Sequence, residues 1–332
     1  MTHNIAINGF GRIGRGILRA LIEAENRDLN VVAINDLGTP GQLAHMLRYD
    51  SVHGPFRVDI QAGDDWIEVN GQRIGVSAIR EPEALDWHRV DVAFECTGRF
   101  NSQEQAARHM KNGARKVLVS APVKGVEHTI VYGVNHTNLG PEDVVVSNAS
   151  CTTNCLAPVA MVLDREFGIK TGYMTTVHAY TGSQPTLDAQ HKDPYRGRAA
   201  ALSMIPTTTG ATKALSLVLP QLEGKIEGSA FRVPTPNVSL VDLCFMPERA
   251  ASVERVNAVM KSAAEGPLKG VLSWNDEPLV SIDFNHDTHS SCFAPEQTAV
   301  TNQGMVRVVS WYDNEWGFAN RMIDTGTYLA NL

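Results

Sequence analysis

The sequence has no long apolar run. No window of the 332 residues approaches the roughly 18 uncharged apolar positions that a membrane-spanning helix needs. The N-terminal segment also lacks a basic stretch followed by an apolar core, which is the pattern of a secretory signal. We therefore expect neither membrane spanning nor secretion.

Runs of positive charge are missing as well. The net charge is −7, and the 29 lysines and arginines are scattered along the chain. A surface that binds nucleic acid needs clustered positive charge. We expect no nucleic-acid partner, and any anionic ligand must be bound by a local site.

Cysteines are few and odd in number. The five are Cys96, Cys151, Cys155, Cys244 and Cys292. A chain of 332 residues with 43% hydrophobic positions can bury the cores of two ordinary domains without disulfides. We expect reduced thiols in a cytoplasmic protein, one of which can be reactive.

The first half of the chain alternates between strand and helix patterns. A short apolar strand, a Gly-rich turn, a helix of about fourteen residues and a second strand form a βαβ unit. The predicted strands are residues 4–8, 31–35, 92–96, 117–120, 129–134 and 144–147, with a helical pattern at 102–112. This alternation predicts an α/β fold with a doubly wound parallel sheet.

The pattern changes after Ser150. We predict a helix at residues 151–166, a strand at 171–178 and paired, largely antiparallel strands within 226–245, which together indicate a second, α+β domain. Residues 179–203 are polar, interrupted by Gly and Pro, and lack periodicity. A loop of this length in a compact protein is usually functional or disordered.

A dinucleotide-binding fingerprint follows the first strand. Residues 9–14 read GFGRIG, and Asp36 ends the next strand. Gly9, Gly11 and Gly14 allow a tight turn and close approach of the backbone to a pyrophosphate, while a carboxylate accepts bonds from ribose hydroxyls and repels a 2′-phosphate. The motif predicts NAD binding; alternatively, Asp36 is a turn residue, since aspartate is common at strand ends.

The candidate nucleophile lies in the segment SNASCTTNC, residues 147–155. Cys151 falls where a helical pattern begins, and a helix N-terminus favours the thiolate. Cys155 is one turn further and is interpreted as packing. The C-x-x-x-C spacing occurs once, without a second Cys or His pair, and suits a disulfide poorly, so we predict no metal site.

A nucleophilic cysteine needs a base, and His178 is the best candidate by position. It ends a strand-like run at the start of the long loop. A histidine at a strand end is more often an ordinary hydrogen-bonded residue, and the separation from Cys151 proves no proximity. The pairing stays open at this point.

Eight segments together resemble the phosphorylating glyceraldehyde-3-phosphate dehydrogenase family, bacterial members above all. They run through the chain in order: GFGRIG, AINDL, LRYDSVHG, SNASCTTNC, TTVHAYTG, IPTTTGA, FRVPTPNVSLVDL and WYDNEWGF. The resemblance implies a Rossmann domain at 1–149 completed by a C-terminal helix at 314–332, and a catalytic domain at 150–313. It also implies a homotetramer, in which residues 179–203 form the S-loop that reaches a neighbouring subunit's cofactor site.

The same resemblance implies the chemistry. Cys151 would attack glyceraldehyde 3-phosphate, His178 would act as acid and base, NAD would take the hydride, and inorganic phosphate would cleave the resulting thioester. The implied phosphate-binding residues are Thr181 and Arg232 for the substrate, and Ser150, Thr152, Thr209, Gly210 and the nearby Arg196 for inorganic phosphate. The implied cofactor-binding residues are Gly9, Gly11, Arg12, Ile13, Gly14, Asp36, Arg80, Ser120 and Asn314.

Some points stay open in the sequence. IPTTTGA also fits a capped helix start. Departures from the common pattern at Ser183, Tyr195 and Ala189-Gln190 leave the details of substrate phosphate binding and the extent of NADP use undecided.

Two other functions compete. Residues 283–287 and 131–135 resemble erythrose-4-phosphate dehydrogenase, although HAYTG, IPTTTGA and TPNVS favour the triose enzyme. A non-catalytic NAD-binding scaffold is the alternative from another class. The presence of Cys151, His178, Arg232 and Asn314 together argues against it.

Overall fold

The computed structural model describes residues 2–332. The chain folds into two compact units. The first comprises the described part of Met1–Ile130 with His136–Ala149 and Ala319–Leu332, and the second comprises Val131–Asn135 and Ser150–Phe318.

The first unit is built on an eight-stranded sheet in the order β3-β4-β5-β2-β1-β6-β7-β8. The strands from β5 to β8 are parallel, while β3 and β4 are antiparallel at one edge. This is the doubly wound order of a Rossmann fold, so the predicted fold class is confirmed. The strands are β1 (His3–Asn8), β2 (Leu29–Asn35), β3 (Ile60–Ala62), β4 (Trp66–Val69), β5 (Gln72–Ser77), β6 (Val92–Glu95), β7 (Lys116–Val119) and β8 (Val145–Ser147).

Three helices of the first unit follow its strands: α1 (Arg12–Glu23), α2 (Pro40–Arg48) and α3 (Gln103–Ala106). Helix α2 begins at a capping box between Thr39 and Gln42. Helix α3 continues as a 3₁₀ turn at Ala107–Asn112 and stops at Gly113, whose φ is +121°. The helical pattern at 102–112 is therefore only partly α-helical.

The predicted strand at 129–134 is wrong. The segment makes one isolated bridge, from Thr129 to Ser147, and Val131–Asn135 belongs to the second unit. Asn135 Oδ1 accepts the backbone N–H of Val131 at 2.8 Å, and Gly133 has a φ of +82°. A side-chain amide that bonds the local backbone replaces the strand ladder with a turn.

The second unit also contains an eight-stranded sheet, in the order β10-β11-β9-β12-β16-β14-β13, with β15 paired to β16. Most of its pairs are antiparallel, as predicted. The strands are β9 (Ile169–Ala179), β10 (Ile205–Thr207), β11 (Ile226–Val233), β12 (Ser239–Pro247), β13 (Leu272–Trp274), β14 (Ser291–Phe293), β15 (Ala299–Val300) and β16 (Val306–Tyr312).

One expectation about this sheet is corrected. The strands within 226–245 were expected to pair with each other, but β9 lies between β11 and β12, and its pairing with β11 is parallel. The connection contains Pro234 and Pro236, which have no N–H for a ladder, and Val238 has a φ of +68°. The chain therefore leaves the sheet between the two strands.

The helices of the second unit are α4 (Cys151–Phe167), α5 (Ala211–Val218) and α6 (Val253–Glu265), and α4 confirms the helix predicted at 151–166. The chain ends in α7 (Trp316–Asn331), whose residues from Ala319 belong to the first unit. Residues 180–204 contain neither helix nor strand. Within residues 2–332, none of the helices has the length and apolar character needed to cross a membrane.

Candidate active site

Cys151 is the first residue of α4. Ser150 caps this helix, because its Oγ accepts the N–H of Thr153 at 3.1 Å. Burial raises the pKa of the Cys151 thiol, while the charge of Arg232 and hydrogen bonds from Thr152 oppose that shift in part. Burial therefore acts against the thiolate that a helix N-terminus favours.

The structure brings His178 to the thiol. The distance between His178 Nε2 and Cys151 Sγ is 3.5 Å, and Nδ1 lies 2.7 Å from the carbonyl oxygen of Ala179. Burial, followed by the charge of Arg232, lowers the pKa of His178 to about 3. The imidazole is therefore neutral at physiological pH.

Arg232 adjoins the imidazole because β11 and β9 pair in a register that places Arg232 opposite His178. Its Nη1 lies 2.6 Å from His178 Nδ1 and donates to the carbonyl oxygen of Ala179 at 2.8 Å, so this oxygen lies within hydrogen-bond distance of both side chains. Arg232 Nε is buried without a hydrogen-bond partner among the described residues. A cation with an unused donor suits an anionic ligand.

Tyr312 supports the pair from β16. Its ring meets His178 edge-on, with centroids 5.9 Å apart, and its hydroxyl lies 2.9 Å from the hydroxyls of Thr152 and Thr176. Burial raises the pKa of Tyr312, so the phenol stays protonated. Tyr312 therefore links Thr152, the residue after Cys151, to β9, the strand that carries His178.

Cys155 lies one turn along α4 in the interior. Its Sγ is 3.5 Å from Ser291 Oγ and 3.8 Å from the carbonyl oxygen of Ser310, and burial raises its pKa to about 12. A thiol in this environment is unreactive. Within the described residues, no group of three His, Cys, Asp or Glu side chains could hold a metal ion.

The other predicted phosphate residues make local contacts. Thr181 Oγ1 is 3.1 Å from Ser183 Oγ, and Arg196 donates from Nε to Thr207 Oγ1 at 2.9 Å. The charge of Arg196 also contributes to the low pKa of His178. Thr209 and Gly210 lie at the start of α5. Gly210 is the N-cap residue and makes no side-chain cap, while Thr209 Oγ1 accepts the N–H of Ala211 at 3.2 Å.

Sequence reasoning missed Ser239. Its Oγ accepts the N–H of Ala179 at 3.0 Å, and its hydroxyl donates to Asn314 Oδ1 at 2.8 Å. This bond orients the amide of Asn314 so that Nδ2 is the group it can offer to a ligand. The serine lies within the segment FRVPTPNVSLVDL, but no local pattern distinguishes it.

Asp313 was missed as well. Its Oδ1 accepts the N–H groups of Glu315 and Trp316 at 2.9 and 2.7 Å. Its Oδ2 accepts Asn237 Nδ2 at 2.8 Å and the N–H of His286 at 2.7 Å. An aspartate shortly before a helix is a recognisable capping signal, and here its hydrogen bonds to the N–H groups of Glu315 and Trp316 also fix the backbone beside Asn314.

A separate cavity of about 550 Å³ lies in the first unit. Four predicted cofactor residues line it: Gly9, Gly11, Asp36 and Arg80. Asp36 accepts the N–H of Phe10 at 2.8 Å and that of Gly38 at 3.2 Å, so it is both a turn residue and part of the cavity wall.

The remaining predicted cofactor residues of this unit, Arg12, Ile13, Gly14 and Ser120, are not among those that line this cavity. Arg12 forms an ion pair with Asp50. Burial of the Asp50 carboxyl acts to raise its pKa, but the hydrogen bond from Arg12 opposes this and the pKa is lowered. Ser120 donates its N–H to the carbonyl oxygen of Glu95 at 3.0 Å.

The three glycines of GFGRIG have different surroundings. A Cβ on Gly14 would lie 2.2 Å from the carbonyl oxygen of Gly9, and one on Gly9 would lie 2.7 Å from the nitrogen of Thr97. No described atom lies within 4 Å of a Cβ on Gly11. Gly9 and Gly14 are thus needed for packing, whereas Gly11, the N-cap of α1, borders open space where a pyrophosphate can approach.

Comparisons with known proteins cover both units. Family models described as "Glyceraldehyde 3-phosphate dehydrogenase, NAD binding domain" and "Glyceraldehyde 3-phosphate dehydrogenase, C-terminal domain" match residues 3–103 and 150–314. Proteins named glyceraldehyde-3-phosphate dehydrogenase from Cereibacter sphaeroides and Xanthobacter flavus are 60% and 57% identical over 100% of both chains. The protein of that name from Geobacillus stearothermophilus is 53% identical over 100% of this chain and 99% of its own.

We predict different effects of alanine at Gly14 and Gly11. Gly14→Ala should cost about 1–3 kcal/mol of unfolding free energy, because the methyl group overlaps the carbonyl of Gly9. Gly11→Ala should leave stability nearly unchanged and weaken dinucleotide binding, since its methyl projects into open space. Chemical denaturation and calorimetric titration with NAD measure the two effects; equal loss of stability in both variants would contradict this assignment.

We predict that His178→Asn slows alkylation of Cys151 by iodoacetamide near neutral pH, because an amide cannot accept the thiol proton. The pH dependence of alkylation should move to higher pH. Tyr173→Phe, at an exposed position of the same strand, is the control. Unchanged alkylation in His178→Asn would mean that the histidine is only structural.

Proposed function

Since the chain belongs to the glyceraldehyde-3-phosphate dehydrogenase family, we propose that it oxidises D-glyceraldehyde 3-phosphate with NAD and inorganic phosphate to 1,3-bisphosphoglycerate. The reaction is a step of glycolysis and gluconeogenesis. The observation that carries the proposal is the 3.5 Å contact between Cys151 Sγ and His178 Nε2, with Arg232 beside the imidazole.

The neutral imidazole makes His178 the base. When Nδ1 donates to the carbonyl oxygen of Ala179, the lone pair of Nε2 faces the thiol. His178 takes the thiol proton as the sulfur bonds to the aldehyde carbon, and returns that proton to the aldehyde oxygen. The product of this step is a thiohemiacetal on Cys151.

His178 Nε2 also takes part in the oxidation step. His178 hydrogen-bonds the thiohemiacetal hydroxyl and takes its proton, which leaves a thioester on Cys151. When bound, NAD supplies the acceptor for the hydride that leaves at this step. His178 thus acts twice as a base.

Two anionic groups must be bound. Arg232 and Thr181 hold the phosphate of the substrate, because a guanidinium and a hydroxyl both donate to phosphate oxygens. Inorganic phosphate binds to Ser150, Thr152, Thr209, Gly210 and Arg196, and attacks the thioester to release the acyl phosphate. The oxidation energy is thereby kept in the product.

The cofactor residues fit NAD. Gly9 and Gly11 let the pyrophosphate approach the N-terminus of α1, and Asp36 and Arg80 border the adenosine. Asn314 holds the nicotinamide carboxamide through Nδ2, in the orientation that Ser239 imposes. The proposed set is completed by Arg12, Ile13, Gly14 and Ser120.

A homotetramer accounts for uncovered apolar surface. In the S-loop, Leu187 and Leu202 are 74% and 79% exposed, and Gln184 is buried with both amide atoms unpartnered among the described residues. Tyr173 and Phe231 are half exposed on one face of the second sheet. Neighbouring copies would cover the four exposed side chains, Leu187, Leu202, Tyr173 and Phe231. We place the tetramer in the cytoplasm, where its five free thiols stay reduced.

The proposed reaction is tested by initial rates of NADH formation. Glyceraldehyde 3-phosphate should be the preferred substrate over erythrose 4-phosphate, and steady turnover should require inorganic phosphate. Preference for the tetrose would support erythrose-4-phosphate dehydrogenase instead, phosphate-independent turnover would reject acyl-phosphate formation, and no turnover with either would support the NAD-binding scaffold.

We predict that Cys151→Ser loses nearly all turnover and still binds NAD, because a hydroxyl is far less acidic than a thiol. Cys155→Ser should be much milder, since this thiol packs against Ser291 and Ser310. Steady-state rates, with folding checked by circular dichroism, compare the variants. A similar loss in both would contradict the different roles.

We predict a preference for NAD over NADP that depends on Asp36. A 2′-phosphate would bring like charges together beside this carboxylate, at a cost of about 1–3 kcal/mol. Asp36→Ala should raise kcat/KM with NADP, while Ala189→Leu with Gln190→Pro should lower it by adding bulk from the S-loop. Wild-type parity between the two cofactors would show that Asp36 does not discriminate.

A further inference from the structure

A buried carboxylate lies beside the cofactor cavity without a role in the reaction. Glu95 ends β6 and is 1% exposed. Its Oε2 accepts Asn8 Nδ2 at 2.6 Å and contacts His109 Nε2 at 2.8 Å. Its Oε1 accepts the N–H of Thr97 at 2.8 Å and the hydroxyl of the same threonine.

The hydrogen bonds continue across the sheet. Asn8 Oδ1 accepts Asn35 Nδ2 at 2.7 Å, and Asn35 Oδ1 accepts the hydroxyl of Ser77 and the N–H of Ile79, each at 2.9 Å. We call the series His109, Glu95, Asn8, Asn35 and Ser77 the strand-end chain. It joins the carboxyl ends of β6, β1, β2 and β5, four adjacent strands of the sheet.

The strand-end chain lies against the cofactor cavity. Asn8, Asn35, Thr97 and Phe100 all line this cavity. His109 stacks on Trp87 with centroids 4.7 Å apart and meets Phe100 edge-on at 6.0 Å. Glu95 and His109 are buried and do not line the cavity. They contact three residues that do: Asn8, Thr97 and Phe100.

We propose that Glu95 and His109 are positioning residues for the cofactor, acting through Asn8, Thr97 and Phe100. The inference rests on the proposed use of NAD. Neither residue contacts Cys151 or His178 in the described structure, so their loss should weaken dinucleotide binding without slowing the chemical step. In steady-state terms, KM for NAD should rise while kcat stays close to the wild-type value.

Glu95→Gln is the informative change. A carboxylate accepts from both oxygens, whereas an amide accepts from one and turns an N–H₂ group toward donors on the other side. If the amide nitrogen faces Asn8, two donors meet in a buried place. Asn8→Asp should repair this conflict, because a carboxylate at this position would accept from the new amide and still accept from Asn35.

The experiment measures the dissociation constant of NAD by calorimetric titration, together with KM and kcat. Glu95→Gln should raise the dissociation constant at least about tenfold with kcat within about twofold of wild type, and the double variant Asn8→Asp with Glu95→Gln should recover most of the affinity. Lys116→Met is the matched control, since it removes a buried hydrogen bond of 3.1 Å to the carbonyl of Leu329 in the same unit. It should lower the unfolding temperature and leave the dissociation constant unchanged.

The outcomes distinguish failure of the positioning inference from failure of the proposed function. Wild-type affinity in Glu95→Gln, or a fall in kcat instead of affinity, would overturn the inference. Failure of the wild-type protein to bind NAD would overturn the proposed function instead. If Glu95→Gln does not fold, His109→Gln keeps a donor for Glu95 and loses the ring contact with Phe100, and unchanged NAD affinity there would equally overturn the inference.

Discussion

The backbone of Ala179 is the constraint on which the candidate active site of the second unit depends. Its carbonyl oxygen is shared by His178 and Arg232, and its N–H reaches Asn314 through Ser239. This is possible because β9 lies between β11, which carries Arg232, and β12, which begins at Ser239. A register slip of one residue in either pair would turn the partner to the other face of the sheet.

Burial then sets the protonation of the pair. It raises the pKa of Cys151 and lowers that of His178, so that a neutral thiol faces a neutral imidazole. A neutral thiol reacts slowly with oxidants and electrophiles, whereas a thiolate reacts quickly with both. In the proposed reaction, the reactive sulfur would therefore form by proton transfer to His178 during attack on the substrate.

Local motifs made much of the molecule predictable. The strand, turn and helix around GFGRIG and the helix that begins at Cys151 depend on neighbours in sequence, and both are found where they were predicted. The wrong strand at 129–134 and the wrong pairing within 226–245 depend instead on an asparagine turn and on a third strand that enters from elsewhere in the chain.

Ser239 and Glu95, which hold other residues in place, could not be predicted from local motifs. Ser239 bonds a residue 60 positions away, and Glu95 bonds one 87 positions away, so no spacing in the sequence marks either pair. His178 shows the intermediate case. Its position at a strand end made it a candidate, and its distance from the sulfur became known only through the fold.

The central claim is that Cys151 carries the acyl group between oxidation and phosphate attack. The most direct test mixes the protein with glyceraldehyde 3-phosphate and NAD without inorganic phosphate, quenches the reaction with acid, and locates the adduct by peptide mass spectrometry. The account predicts a thioester on Cys151 that disappears when phosphate is added before the quench. An adduct on another cysteine, or an adduct on Cys151 that phosphate does not remove, would contradict it.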